Sequence, residues 1–169
     1  TVSFGTITQN SIVVNFTGGN GNRRIVVARA ANTVNFVPTD GSAVTGTNSD
    51  FSLATDQGNG NKVVYDGTDV TVTVAGLSSL TSYYFATYEY NVGTGTSENY
   101  NTTAPGTGNR STSRKVIISN GTGGGNWSST LTWTGAVVPT QNDSVVITGS
   151  DKVVLDATFS CYSINITGS

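Results

Sequence analysis

Hydrophobic residues in this chain recur at every second position within short runs, and polar residues separate the runs. The runs are rich in Val, Ile, Thr, Tyr and Phe, and they end at clusters of Gly, Asn and Asp. A period of two predicts β-strands that bury one face, so the predicted fold class is all-β. The strands expected before residue 105 are Val2–Thr8, Ser11–Thr17, Arg24–Ala30, Lys62–Tyr65, Val70–Ala75, Tyr83–Tyr90 and one near Tyr100–Thr103.

A stretch without large apolar side chains, residues 105–114, divides the chain. We therefore expect a β-sandwich over residues 1–107, a linker over 108–115 and a small β-rich segment over 116–169. Turns are expected where glycine clusters with polar residues, for example at Gly93-Thr94-Gly95. The strands expected in the last segment are Val116–Ser119, Ser144–Thr148, Lys152–Leu155 and Ser163–Thr167.

The segment VTVAGLSSLTSYYFATYEYN, residues 72–91, resembles the corner between strands E and F of fibronectin type III domains. By this resemblance Leu77 is the corner leucine. Tyr83 is the corner tyrosine, whose hydroxyl would bond to the backbone across the turn. Residues 1–107 as a whole look like a variant of that module with a long insertion between its middle strands. Such modules serve as spacers, adhesion units or companions of carbohydrate-active domains, so the resemblance implies no active site.

The strand Tyr83–Tyr90 presents different residues on its two faces. Counting by two from Tyr83 brings Glu89 to the inner face, unless a bulge follows Phe85. The opposite face carries three tyrosines, Tyr84, Tyr88 and Tyr90. If this face is exposed, the tyrosines form an aromatic stripe that could bind sugar rings or another protein surface. Alternatively, the long insertion, residues 36–61, folds back and covers them.

The segment NWSSTLTWTGAVVPTQNDSVVITGSDKVVLDATFSCYSINITG, residues 126–168, resembles the opening of the eight-glycine domain. That domain often precedes a right-handed parallel β-helix in secreted and membrane-anchored proteins. The resemblance implies that this segment contains the first turns of a β-solenoid, whose remainder we expect elsewhere. The matching residues are Trp127, Trp133-Thr-Gly135, Val138-Pro139, Asp143-x-Val145-x-Ile147 and Ile164-x-Ile166-x-Gly168.

Trp127 and Trp133 are the only two tryptophans of the chain. A buried tryptophan removes about 150–250 Å² from water, which is roughly 4–6 kcal/mol before entropy costs. A segment with few Leu and Phe residues needs that contribution for its own core. A structural role with at least one Trp buried is therefore favoured, and a platform that stacks on sugars is the alternative.

Composition narrows the chemistry open to this chain. It has no histidine, which excludes Ser/His/Asp and Cys/His nucleophiles and most zinc sites. Cys161 has no basic neighbour in sequence and is expected to be an inert thiol. The net charge of −2 offers no basic stripe for nucleic acid, and no apolar run approaches the ~20 residues of a membrane-spanning helix. We expect no catalytic residue, no nucleic-acid partner and no membrane insertion.

Calcium is the ion that the aspartates would suit best, because their oxygens are hard ligands. None of them lies in a D-x-[DN]-x-[DN]-G loop, and turn capping explains them equally well. The candidates are Asp66, Asp69, Asp143, Asp151 and Asp156.

Charged residues make up only 11% of the chain, and the polar surface is left to Thr, Asn, Ser and Gly, a style common in extracellular β-proteins. We expect a piece of a larger, secreted or cell-surface multidomain protein. The predicted role is that of a non-catalytic structural or adhesion module, whose partners are neighbouring domains or subunits and which could form a stalk or filament by strand addition. The alternative is a carbohydrate-binding module of a polysaccharide-degrading enzyme, binding through Tyr84, Tyr88 and a Trp.

Overall fold

The computed structural model describes residues 1–93 and 97–168. These residues form two compact units, Thr1–Ser113 and Arg114–Ser169. Both consist of β-strands, and the described ranges contain one short 3-10 helix and no α-helix, which confirms the predicted all-β class. Two residues of the predicted turn at 93–95 lie outside the description. No helix in the described part of the chain has the length and apolarity that crossing a membrane requires.

The described residues of the first unit form eight strands in two sheets. Its strands are β1 (Val2–Ile7), β2 (Ile12–Phe16), β3 (Arg23–Ala30), β4 (Lys62–Gly67), β5 (Thr71–Val74), β6 (Ser82–Asn91), β7 (Asn99–Tyr100) and β8 (Gly106–Ser111). One sheet has the order β1-β2-β5, and the other has the order β4-β3-β6-β7 with β8 also paired to β6. All these pairs are antiparallel, as in β-sandwiches.

The two sheets bury alternate side chains against each other in what we call the sandwich core. The smaller sheet contributes residues of β2 and β5, and the larger contributes every second residue of β3 and β6. Its buried members are Ile12, Val14, Phe16, Val26, Ala28, Val64, Val74, Leu77, Tyr83 and Phe85. The first unit is therefore sandwich-like, as its alternating sequence predicted.

The larger sheet is also buried on its second face. The side chains of β3 and β6 that point away from the sandwich core form an outer core, covered by the covering loop, residues 31–61 between β3 and β4. Val34, Phe36 and Val44 of this loop pack onto it. The outer core consists of Ile25, Val27, Val63, Ala86, Tyr88, Tyr90 and Tyr100. Five successive residues of β3 are consequently buried, a pattern unlike that of a strand with one wet face.

Residues 108–111, which the sequence assigned to a linker, lie in strand β8 instead. The predicted linker, 108–115, overlaps β8, which pairs with β6 from Thr87↔Gly106 to Ser82↔Ser111. A Cβ at Gly108 would lie 3.1 Å from Val2 Cγ1 and 3.2 Å from Phe4 Cζ, so β1 packs where a side chain would otherwise project. Because β8 needs no large side chain of its own, it lacks the apolar alternation that reveals a strand. The predicted strand near Tyr100–Thr103 is limited to β7.

Glu89 lies on the inner side of β6, and no bulge follows Phe85. The pairing of β6 with β3 continues without a shift from Tyr83 to Tyr90 and places Glu89 opposite Arg24. Arg24 Nε lies 3.0 Å from Glu89 Oε1, and the two side chains are only 8% and 15% exposed. The ion pair resolves the conflict that the alternation raised, because each charge neutralises the other at the end of the sandwich.

The second unit is built from parallel strands. They are β9 (Val116–Ile118), β10 (Gly124–Asn126), β11 (Ser144–Thr148), β12 (Lys152–Val154) and β13 (Ser163–Thr167), with the 3-10 helix at Thr130–Thr132. One sheet has the order β9-β11-β13 and the other pairs β10 with β12, both parallel. The core of this unit consists of Ile117, Trp127, Trp133, Val145 and Ile147.

The corner before β6 contains the backbone hydrogen bond that was expected for Tyr83. Leu77 is buried in the sandwich core, and the buried Tyr83 accepts a hydrogen bond from the Ser78 backbone N–H at 2.9 Å. The hydroxyl thus binds the turn that precedes its own strand.

Removing this hydroxyl should weaken the fold. We expect Tyr83→Phe to lower the free energy of unfolding by about 1–2 kcal/mol, because the Ser78 N–H loses its partner. Urea unfolding followed by far-UV circular dichroism measures the change. Tyr84→Phe, at a half-exposed neighbour, is the control and should stay within about 0.5 kcal/mol. Equal stability of both variants would contradict the corner's role.

Candidate functional site

The predicted aromatic stripe is not an exposed surface. Tyr88 and Tyr90 are each only 4% exposed, and the Tyr88 hydroxyl donates to the Phe36 carbonyl of the covering loop at 2.8 Å. Tyr84 alone remains half-exposed, beside a cavity of about 210 Å³. The prediction of an exposed stripe is therefore wrong for Tyr88 and Tyr90, and the alternative, cover by the insertion, describes the structure.

Tyr90 belongs to a polar network beneath the outer core. Its hydroxyl donates to Asp66 Oδ1 at 2.7 Å and accepts from Arg23 Nε at 2.7 Å. Arg23 also pairs with Asp66 at 3.0 Å. Burial, together with the hydrogen bond to Asp66, raises the pKa of Tyr90 to about 12. This network joins β3, β4 and β6. The Tyr90 ring packs against the Tyr100 ring at a tilt, with ring centroids 4.8 Å apart.

Both tryptophans lie inside the second unit. Trp127 and Trp133 are each 2% exposed, and their rings meet edge to face at 5.0 Å. The Trp133 Nε1–H donates to the Trp127 carbonyl at 2.9 Å, and Phe159 stacks on Trp127 at 5.8 Å. The indoles fill the core between the parallel sheets, so a sugar-stacking platform made of these two rings has no exposed surface to use.

Asp151 and Asp156 each accept hydrogen bonds from a different part of the chain. Asp151 accepts the backbone N–H groups of Gly121 and Gly123, and the Ser128 backbone N–H and hydroxyl both donate to Asp156. Hydrogen bonds from the side chains of Ser119 and Ser128, supported by these backbone donors, lower the pKa of Asp151 and Asp156 respectively. Each contact joins segments 28 to 30 residues apart and fastens one turn of chain to the next.

Two of the remaining calcium candidates have side-chain partners of their own. Asp66 belongs to the Tyr90 network, and Asp143 accepts from the Thr140 backbone N–H and hydroxyl. Asp69 contributes its backbone carbonyl to Arg24. Within the described residues, no group of three or more His, Cys, Asp or Glu side chains converges as a metal site would require. The five aspartates are thus not brought together as ligands.

The surface best suited to an interaction is the terminal edge, which we define as β13 with Ile164 and Ile166. Val145 and Ile147 on β11 are buried, and Ile164 and Ile166 pair with them in register, yet these two are 51% and 68% exposed. Among the described strands β13 pairs only with β11, so its outer side keeps backbone donors and acceptors without a strand partner. The terminal edge therefore combines apolar side chains with an unused hydrogen-bonding edge.

The sequence indicated β13 but not its exposure. Alternating Ile residues in SINIT look the same whether a further strand covers them or not, so no local signal distinguishes the two cases. The register with β11 shows which buried positions β13 continues, since it aligns Ile117, Val145 and Ile164 on three successive strands.

No protein-family model and no curated protein sequence matches the chain. Among solved structures it is similar to a β-sandwich protein obtained by computer-based redesign, with 15% identity and a TM-score of 0.43. That match covers 66% of this chain and 85% of the other. A similarity at this level carries no argument about function.

The buried tyrosine network predicts sensitivity to alkali. The pKa of Tyr90 is about 12 in the fold against an ordinary 10.0, so the folded state holds this proton more tightly than the unfolded chain does. Stability from this group is fully present below pH 10 and is lost as the pH rises towards 12. We expect Tyr90→Phe to flatten the fall in the free energy of unfolding across this window, measured by urea titration at several pH values.

The exposed Tyr162 provides the control for this experiment. Tyr162→Phe should leave the alkaline slope as it is in the parent chain. A slope that is equally steep in Tyr90→Phe would show that the network does not couple to folding.

Proposed function

We propose that this chain is a non-catalytic structural module of an extracellular or cell-surface multidomain protein. In this proposal the first unit is a variant fibronectin type III module, and the second unit is the beginning of a β-solenoid that is extended at its terminal edge. The observation that carries the proposal is the terminal edge itself, where a regular parallel sheet ends with its apolar side chains exposed.

The solenoid assignment is supported by how the second unit stacks. β9, β11 and β13 are parallel and in register, with Val116↔Ser144 and Ser144↔Ser163 as aligned pairs. A parallel neighbour requires the chain to return to its starting side, so each pair marks one full circuit, 28 residues long and then 19. Stacked Ile and Val side chains along such circuits form a continuous core that each circuit alone cannot bury.

The fibronectin assignment is supported by the antiparallel sandwich, the Leu77 and Tyr83 corner and the long insertion between β3 and β4. Because the insertion covers the tyrosines, the larger sheet keeps no aromatic binding face. The carbohydrate-binding alternative based on Tyr84, Tyr88 and a Trp thereby loses Tyr88, and both tryptophans are buried as well. A spacer or adhesion role needs no such face and agrees better with this burial.

Extension at the terminal edge would proceed by strand addition. An incoming parallel strand would accept and donate backbone hydrogen bonds along β13 and place its own apolar residues over Ile164 and Ile166. Full burial of two such side chains contributes roughly 3–6 kcal/mol, of the same order as the lower estimates for the cost of association. The edge alone therefore supports weak contacts between separate copies, which repetition within a filament would reinforce.

Sedimentation velocity over a concentration series tests strand addition between copies. We expect the parent chain to associate reversibly as its concentration approaches about 1 mM, where a dissociation constant corresponds to about 4 kcal/mol. The double variant Ile164→Lys with Ile166→Lys should stay monomeric, because charges would line the edge. Leu131→Lys, at a residue of the same unit that is 80% exposed but outside the sheet edge, is the matched control and should associate normally.

A monomeric parent chain throughout the series would contradict assembly by strand addition. Association that persists equally in the double lysine variant would place the contact elsewhere on the chain.

A further inference from the structure

Two adjoining cavities open at one end of the sandwich. Their volumes are about 270 and 330 Å³, and they share Asn20, Glu89 and Asn101 in their walls. We call this region the Glu89 cleft. The loop after β2 forms one side of it, and Asn101 with residues 104–106 forms another. Tyr90, one of the binding candidates from sequence, lines the 330 Å³ cavity.

Glycines in the loop after β2 allow this loop to approach the ion pair closely. A Cβ at Gly19 would lie 3.3 Å from Glu89 Cγ, and one at Gly21 would lie 2.9 Å from Glu89 Oε2 and from the Tyr90 backbone. A side chain at Gly18 would likewise crowd Arg24 at 3.3 Å. Larger residues at these positions would push the loop away from Glu89 or fill the cleft.

The cleft is polar, and its two charged side chains balance each other. Arg24 neutralises Glu89 at 3.0 Å and is itself held by the Thr68 and Asp69 carbonyls at 2.7 and 3.0 Å. A cation would meet the guanidinium charge behind the carboxylate, and an anion would meet the carboxylate itself. The charge balance therefore favours a neutral ligand that makes hydrogen bonds.

One buried hydroxyl in the wall of the cleft has no partner among the described residues. Thr87 is 6% exposed, lines the 270 Å³ cavity, and its Oγ1 makes no hydrogen bond to any described residue. A buried hydroxyl without a partner costs free energy, so such groups are normally satisfied by protein, water or ligand. The side chains of Asn20 and Asn101 add amide groups to the same walls, and Asn101 Oδ1 also accepts from the Thr103 backbone N–H.

We propose that the Glu89 cleft binds a neutral, hydroxyl-rich ring, namely one saccharide unit at the end or side of a glycan. Amides, a carboxylate and a threonine hydroxyl are the groups that pair with adjacent sugar hydroxyls, which both donate and accept. The usual range for small-molecule sites is about 300–1,000 Å³. The two cavities, of about 270 and 330 Å³, lie at its lower end, and each suits a single ring. This site is separate from the terminal edge and does not depend on the proposed strand addition.

Amide-detected NMR of the full chain tests the site. The probes are the methyl glycosides of glucose, galactose, mannose, xylose and N-acetylglucosamine, each titrated to tens of millimolar. We expect at least one to give saturable shifts in the side-chain amides of Asn20 and Asn101 and the backbone amides of Gly19 and Gly21. No saturable shift with any probe, or saturable shifts confined to residues outside the cleft, would overturn the proposal.

Variants then distinguish a binding site from a passive gap. Asn20→Ala should weaken binding at least tenfold, whereas Asn109→Ala, an exposed asparagine on β8 outside the cleft, should leave it unchanged. Thr87→Val should raise the melting temperature, because an unpartnered hydroxyl is removed, and should weaken binding at the same time. Undiminished binding in both Asn20→Ala and Thr87→Val would also overturn the proposal.

Discussion

The double burial of one sheet governs the architecture of the first unit. Strands β3 and β6 carry apolar side chains on both faces, so the smaller sheet can cover only half of them. The covering loop buries the other face with Val34, Phe36 and Val44, and the Tyr88 hydroxyl donates a hydrogen bond to its Phe36 carbonyl. Without that loop a large aromatic surface would be left in water, which monomeric proteins rarely tolerate. The covering loop is therefore part of the hydrophobic core of the first unit.

The second unit meets the same need for burial by stacking. Parallel strands align residues of like character, and the tryptophan pair fills the space between the two sheets. Asp151 and Asp156 accept from backbone donors 30 and 28 residues away and so join distant segments of this unit. Among the described strands, β13 repeats the apolar pattern of β11 and has no strand partner on its outer side.

Sequence reasoning succeeded where a pattern has one physical explanation. Period-two alternation predicted the all-β class, and a sequence resemblance around Leu77 and Tyr83 implied a hydrogen-bonded turn that the structure forms. It failed where long-range partners decide. Strand β8 could not be predicted because its inward positions are glycines that pack against β1. Glu89 suggested a bulge because its partner, Arg24, lies 65 residues away in the sequence. Whether the tyrosines were covered depended on the path of a long loop, which local periodicity does not encode.

Hydrogen–deuterium exchange on the intact chain tests the double burial most directly. If the covering loop is a genuine layer of the fold, its hydrogen-bonded amides should open together with the sheet, with the central strands β3 and β6 exchanging slowest of all. Amides of Phe51, Thr55 and Asn61, which donate to backbone carbonyls, should then be protected far beyond the unfolded chain. Exchange of the loop at unfolded-chain rates, while β3 and β6 stay protected, would mean that the sheet stands with its tyrosines uncovered and would contradict this account.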